Sequence, residues 1–331
     1  MATTTSVTVA SHIMSEILSA AALMPLRANH VARYLVNVSS IDGIAAEDRK
    51  IPKLNAIAEA VDDAEGVEFN DFEEFDYGSP ITLTPTGKVQ GVAPTIKALR
   101  RRMPGLTRDQ VIQAVANGNP AVVPMLVEIY NEILAAHGDA LERAVCAEFV
   151  NASQSAGTTT QPMSFANLIN ARLQVLDNDT DGSPGPLVCV LDERGLFDLT
   201  SELLTGSGSG IVSVFANGYA DSFLDELGGL VPGPTPRHSL FGMPIYRGAS
   251  SLMSTANAGV DRVGAVFRLG RGETAGAGSL RGFAEICEGH SPSISLELDV
   301  AGDIAEAIGR HEWDVGEHTD EYICKIIYDI D

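Results

Sequence analysis

Apolar residues keep a helical period over several stretches of this chain and alternate over others. The longest periodic stretch is 124–150. There Leu126, Ile129, Tyr130, Ile133, Leu134, Leu141, Ala144, Val145 and Phe149 mark one face of an amphipathic helix, about 40 Å long at 1.5 Å per residue. Gly138 interrupts it, either as a bend or as a tolerated glycine costing roughly 1 kcal/mol against alanine. Over 13–38 the period is carried by Ile13, Ile17, Leu18, Leu23, Leu26, Val31, Tyr34 and Leu35, with Pro25 as a break or kink. Thr107 and Gln110 form a capping box for a short helix that stops at Gly118. Further helices are predicted over 164–176, 196–204 and 219–227, the last stopped by Gly228 and Gly229. Strands are predicted at 187–191, 239–247, 262–269, 293–300 and 321–329. In the last, Tyr322, Cys324, Ile326 and Tyr328 alternate with Ile323, Lys325 and Ile327, so both faces are expected to be covered. The Ser/Thr/Gly-rich run 154–161 reads as a domain boundary, and 206–210 (GSGSG) as a flexible loop. Helices and strands mix without a regular βαβ repeat, which defines an α+β fold.

Residues 51–96 break this pattern. They read as a long extended excursion with nothing local to pack against. Between Lys53 and Lys88 lie nine acids (Glu59, Asp62, Asp63, Glu65, Glu68, Asp71, Glu73, Glu74 and Asp76) and no base. Phe69, Phe72 and Phe75 are interleaved with them at three-residue spacing. The returning limb alternates at Ile81 and Leu83 and resumes at Val89 and Val92; Pro85, Gly87 and Pro94 suit an edge strand. A lone two-stranded arm is at best marginally stable in water. An arm this long is more easily explained if it lies on another copy of the protein.

Composition narrows the function classes. The 331-residue chain has room for two domains or one elaborate one. Its formal net charge of −22 argues against bare nucleic-acid binding and against an anionic membrane surface. No apolar run approaches the ~20 residues of a membrane span, and no secretory signal precedes the Thr/Ser-rich residues 1–12. That polar tail is expected to be tied down by something, a neighbouring subunit being one candidate. Cys146, Cys189, Cys287 and Cys324 show no paired spacing and read as buried free thiols in a reducing cytosol.

Candidate chemistry is sparse. Asp177, Asp179 and Asp181 with Gly182 match the first half of a calcium loop. The twelfth position is Val188 and Pro184 and Pro186 intrude, so a solvated acidic turn is expected. Residues 270–275 match a dinucleotide-binding glycine pattern but run on into loop-like sequence instead of a helix. No phosphate-binding P-loop and no serine-nucleophile elbow occurs. His311, Asp314, Glu317 and His318 lack zinc-protease spacing and read as a solvated turn between strands. The catalytic inventory is close to empty: no enzyme, no cofactor and no metal is expected. Lys97, Arg100, Arg101 and Arg102 form the one concentrated basic patch. Usually such a run is a solvated face; here a neighbour's acidic arm is a plausible partner. The candidate intersubunit contacts are thus Phe69, Phe72, Phe75, Glu73, Glu74, Lys97, Arg100, Arg101 and Arg102.

Several local patterns, in their order along the chain, resemble the major capsid protein family of tailed bacteriophages, whose fold is shared with encapsulin shells and the floor of herpesvirus capsids. They are IPKLNAIAEAVDDAEG, ITLTPTGKVQGVAPTIKAL, PGPLVCVLDERGLFDLTSELL, SLFGMPIYRG, RVGAVF and RHEWDVGEHTDEYICKIIYD. The resemblance covers nearly the whole chain and rests on order, since each pattern alone is unspecific. It implies an N-terminal arm (1–50), an extended loop reaching over the adjacent subunit (51–98), a peripheral domain with a spine helix (99–160), an axial domain (161–300) and a return strand (301–331). It also implies a structural, self-assembling virion protein. Copies would form pentamers and hexamers of an icosahedral capsid around double-stranded DNA, without sequence-specific contact or a membrane. The implied partners are a separate scaffolding protein, because the arm starts almost at Met1, together with a portal and a decoration protein. Assembly would occur in the host cytoplasm, and an acidic inner wall would let packaged DNA slide. The few lysines, Lys53 and Lys88 near the loop, give little basis for lysine–asparagine cross-links. Two alternatives are an encapsulin-type compartment and a soluble nucleotide-binding enzyme with an unusual arm.

Overall fold

The computed structural model describes residues 6–8, 30–41, 48–54, 77–102, 105–117, 123–178, 186–205, 238–240, 242–269, 282–299, 304–317 and 319–330. In chain order the elements are β1 (Ser6–Thr8), β2 (Asn37–Ser40), β3 (Arg49–Leu54), β4 (Tyr77–Leu83), β5 (Thr86–Val92), α1 (Ile96–Arg102), α2 (Arg108–Asn117), α3 (Val123–Asn151), β6 (Ser155–Ala156), α4 (Phe165–Asp177), β7 (Leu187–Leu191), α5 (Glu193–Thr205), β8 (His238–Leu240), β9 (Met243–Arg247), β10 (Thr255–Ala256), β11 (Asp261–Arg268), β12 (Ala284–Asp299), β13 (Ile304–Glu317) and β14 (Ile323–Asp329). Two compact units emerge, each drawn from three stretches: residues 1–28, 86–141 and 288–313 in the first, and 29–85, 142–287 and 314–331 in the second.

In the first unit the strand order is β1-β12-β13-β5. Of the polar tail, the described residues pair within their own chain: Ser6–Thr8 lies antiparallel to Glu297–Asp299. At the other edge, β5 pairs with β13 from Ala307↔Val92 to Trp313↔Thr86, the edge position its prolines and glycines predict. Val89 on this strand is 64% exposed. Helix α2 carries the predicted capping box: the Thr107 N–H donates to Gln110 Oε1 at 2.8 Å, and the Gln110 N–H donates back to Thr107 Oγ1 at 3.4 Å. Helix α3 matches the sequence reading to within one residue at each end and runs through Gly138 as a single element.

The second unit is built on a sheet ordered β6-β14-β11-β7-β9-β8, with β10 also on β11. Strand β7, LVCVL, is buried along its whole length. Seven residue pairs join β11 to β14, from Asp261↔Asp329 to Phe267↔Ile323. Helix α4 is capped by Ser164, whose hydroxyl accepts the Asn167 N–H at 3.2 Å. It buries Phe165, Leu168, Ala171 and Val175 in the core that also holds Leu196, Leu199, Ile326 and Tyr328. Phe149, Phe267 and Phe283 stack at centroid distances of 4.6–5.8 Å. All four cysteines are free and buried; burial raises every thiol, that of Cys324 to about 12.

Five expectations need correction. Val31, Tyr34 and Leu35 do not continue a helix. A single 3₁₀ turn, Ala32–Tyr34, leads into β2, and its leading N–H groups are held by a side chain from α3. The predicted strand 239–247 is a hairpin of β8 and β9, because Gly242 takes φ +72°, a conformation glycine adopts without strain, and folds Leu240 back onto Met243. The strand at 293–300 begins nine residues earlier, at Ala284, and a second long strand, β13, follows it. His311, Asp314 and Glu317 therefore lie in a strand, not in a solvated turn. Ala307, Gly309, His311 and Trp313 face inward while Arg310 and Glu312 face out. Glycine and histidine at inward positions hid this alternation. The excursion at 51–96 also has local packing at its base: Leu83 is 3% exposed and clusters with Ile41 and Cys287, Ile81 lying against them.

Candidate assembly surfaces

Helix α1 offers the basic face. Thr95 starts it, its hydroxyl accepting the Ala98 N–H at 3.2 Å while its carbonyl accepts Ala98 and Leu99 at 2.8 and 3.0 Å. Ile96 and Leu99 are buried on one side. Lys97, Arg100 and Arg101 are exposed on the other, and Arg102 ends the helix. Beside it a groove of about 410 Å³ is lined by Val92, Pro94, Leu99 and Ile129, with Glu128 and Glu132 one helical turn apart. The first unit thus presents guanidinium groups and a carboxylate-flanked apolar groove on adjoining faces.

The two ends of the predicted excursion form a two-stranded ribbon. Strands β3 and β4 pair antiparallel from Arg49↔Leu83 to Leu54↔Tyr77, and the register shifts between Ile51 and Lys53. Pro52, which has no N–H to give the ladder, falls at that irregularity. Arg49 pairs with Glu285 at 3.4 Å. Phe69, Phe72, Phe75, Glu73 and Glu74 lie outside the described residues, as do the predicted helix at 219–227 and the glycine pattern at 270–275. Of the acidic calcium-like run, Asp177 ends α4 and Asn178 caps it, donating its side-chain amide to the Gln174 carbonyl at 2.9 Å; residues 179–185 lie outside.

Two buried carboxylates hold the second unit together, and neither was singled out by the sequence. Glu142, on α3, is 1% exposed. Its Oε1 accepts the N–H groups of Val31 and Ala32 at 2.8 and 2.7 Å, and its Oε2 accepts that of Arg33 at 3.0 Å. These are the donors that a helical turn leaves unsatisfied at its N-terminus. The available signal was an acid between Leu141 and Val145 on the apolar stripe. Asp192 follows β7 and is met by the Tyr328 hydroxyl at 2.9 Å, the Gly195 N–H at 2.9 Å, and Ser250 and Arg262 at 3.2 Å each. Burial pushes the Tyr328 phenol well above its ordinary value, with the Asp192 charge adding to it. Among the described residues no group of three histidine, cysteine or carboxylate side chains could hold a metal ion, and no helix is long and apolar enough to cross a membrane.

No protein-family model matches the sequence, and no curated protein matches it. Solved phage capsids match the fold. The capsid of Ralstonia phage GP4 is 10% identical and aligns over 93% of this chain and 93% of that one, with a TM-score of 0.57. The structure titled Mycobacterium phage Che8 is 15% identical over 92% and 93%, with a TM-score of 0.52. The mature capsid of bacteriophage PhiM1 is 11% identical over 92% and 88%, also at 0.52. The chain has the α+β fold of phage major capsid proteins.

Proposed function

We propose that the chain is a structural shell subunit. It assembles with copies of itself into the pentamers and hexamers of an icosahedral capsid that encloses double-stranded DNA. The observation that carries this reading is the end-to-end fit: about nine-tenths of this chain aligns with about nine-tenths of each phage capsid chain. Under this reading residues 1–50 are the arm, 51–98 the extended loop, 99–160 and 301–331 the peripheral domain, and 161–300 the axial domain.

The subunit would close its shell through repeated heterologous contacts. With −22 charges per chain, like-charge repulsion opposes packing, so summed contacts per subunit should exceed the ~2,000 Å² typical of obligate interfaces. We assign the neighbour-facing role to Phe69, Phe72 and Phe75, with Glu73 and Glu74 directed toward Lys97, Arg100, Arg101 and Arg102 of the adjacent copy. Burial of each ring contributes on the order of 1.5–3 kcal/mol, and each exposed ion pair ~0.2–1 kcal/mol; the charges set register and the rings supply adhesion. The role is structural, not catalytic. The further partners are a scaffolding protein, a portal and a decoration protein. The destination is the virion after assembly in the host cytoplasm, and acidic walls let the packaged DNA slide.

Electron microscopy of particles purified from cells carrying the gene, with a nuclease-protection assay of their contents, tests this. Closed icosahedral particles holding nuclease-resistant DNA are expected. Closed shells holding protein and no nucleic acid would assign the chain to a compartment instead, and a small soluble oligomer would end the shell reading.

A further inference from the structure

In the first unit β13 passes helix α3 with no room for a side chain. A Cβ on Gly309 would stand 2.3 Å from Ile133 Cγ2 and 3.1 Å from His137 Nε2. Two residues on, His311 turns its ring edge-on to His137, with centroids 6.0 Å apart and planes at 80°. The rings are 5% and 4% exposed. Neither His311 nitrogen has a hydrogen-bond partner among the described residues. On β12 Glu288 lies 3.6 Å from His311 Nε2. On β5 Lys88 is in register with His311 and holds its ammonium 5.2 Å from the Trp313 ring centre. Arg310 and Glu312 on β13, and His290 on β12, point to solvent. Two buried imidazoles therefore share one contact, where Glu288 is the one carboxylate within 4 Å of either ring's nitrogens among the described residues and Lys88 lies across the ladder.

We propose that His137 and His311 form an acid-sensitive latch, which fastens the β5–β13 edge of the first unit to helix α3 while the rings are neutral and releases it when both are protonated. Glu288 can balance one positive charge, on His311. A second, on His137, has no counter-ion within the contact among the described residues and stands about 6 Å from the first. Burial already holds His137 below the ordinary imidazole value; the Gly309 backbone offsets part of this and His311 adds to it. The sign follows from linkage. An open-state imidazole takes its proton near pH ~6.5, but the closed contact resists it, so closure is intact above that pH and is lost as pH falls below it. At about pH 5, one ring kept neutral in the closed state favours opening by about 30-fold. This inference is independent of the shell reading, since it concerns the fastening of one sheet edge within a single chain.

Amide hydrogen exchange of the full chain, read on peptides covering 86–92 and 304–313 and corrected for the intrinsic pH dependence of exchange, tests it. Between about pH 7.5 and 5 the opening equilibrium of these peptides should rise by about 30-fold, while peptides of β7 and β11 hold steady. The double variant His137→Gln/His311→Gln should show a flat profile. A rise below twofold in the parent chain, or an undiminished rise in the double variant, overturns the latch. Should the double variant misfold, histidine ring titration by NMR in the parent chain decides: a pair in which one ring stays neutral well below the other supports it, and two independent titrations near the ordinary value refute it.

Discussion

Replacing Glu142 should separate the turn at Ala32–Tyr34 from helix α3. Three backbone N–H groups converge on this carboxylate, those of Val31 and Ala32 in buried surroundings and that of Arg33 in partly buried ones. In Glu142→Ala the Arg33 donor can turn to water, but the other two lose their acceptor. Each buried orphan costs about 1–3 kcal/mol, so the variant should lose about 2–6 kcal/mol, a large fraction of the ~5–15 kcal/mol of a typical domain. Glu142→Gln keeps the shape but exchanges charged for neutral acceptors and turns an amide N–H toward one donor. The difference between charged and neutral bonds, about 1 kcal/mol each, puts its loss at about 2–3 kcal/mol. Equilibrium urea unfolding followed by far-ultraviolet circular dichroism gives both values, and hydrogen exchange at residues 31–36 shows whether the loss is local. If both variants stay within about 0.5 kcal/mol of the parent, the carboxylate is not what fastens this turn.

Three other outcomes are expected. Arg100→Glu/Arg101→Glu/Arg102→Glu should abolish particle formation or shift its salt threshold; unchanged assembly at low and high salt, by light scattering, refutes the pairing with the acidic arm. Gly309→Ala places a methyl 2.3 Å from Ile133 Cγ2 and should cost about 1–3 kcal/mol through overpacking; an unchanged denaturant midpoint contradicts the close approach. Burial raises the Tyr130 phenol from 10.0 to about 12. The unfolded phenol then ionises first, so its contribution to stability is whole below pH 10 and is lost as pH climbs toward 12. Ultraviolet difference titration of the parent against Tyr130→Phe should show a missing late-ionising phenol in the variant.

Elements with clean periodicity were legible in the sequence. Helix α3 announced itself through the apolar stripe that ends in Val145 and Phe149, and α2 through the cap at Thr107. Strands β7, β11 and β14 were legible because their apolar residues are those that the sheet buries. Strand β13 was not, because its inward positions hold Gly309 and His311, residues chosen by the close passage of a helix that no local pattern encodes. The turn at residues 32–34 was hidden for a related reason: Val31 and Leu35 are buried as helical residues would be, but the partner that caps the turn lies more than a hundred positions away. Of the candidate contacts, the sequence placed Lys97, Arg100 and Arg101 on an exposed face. What such a face meets in another copy is a property of two chains, which one chain's periodicity does not carry.

Strand β14 follows every other described strand along the chain, yet it lies between β6 and β11. Until those seven residues emerge, Asp261–Phe267 on one side and Ala156 on the other lack their ladder partner, and Asp192 lacks the tyrosine that satisfies it. A nascent chain can therefore pair β7 with β9 and β11 first, but cannot complete this layer before its β14 residues have been made. Closure of this sheet is therefore a late step in folding, set by residues 323–329.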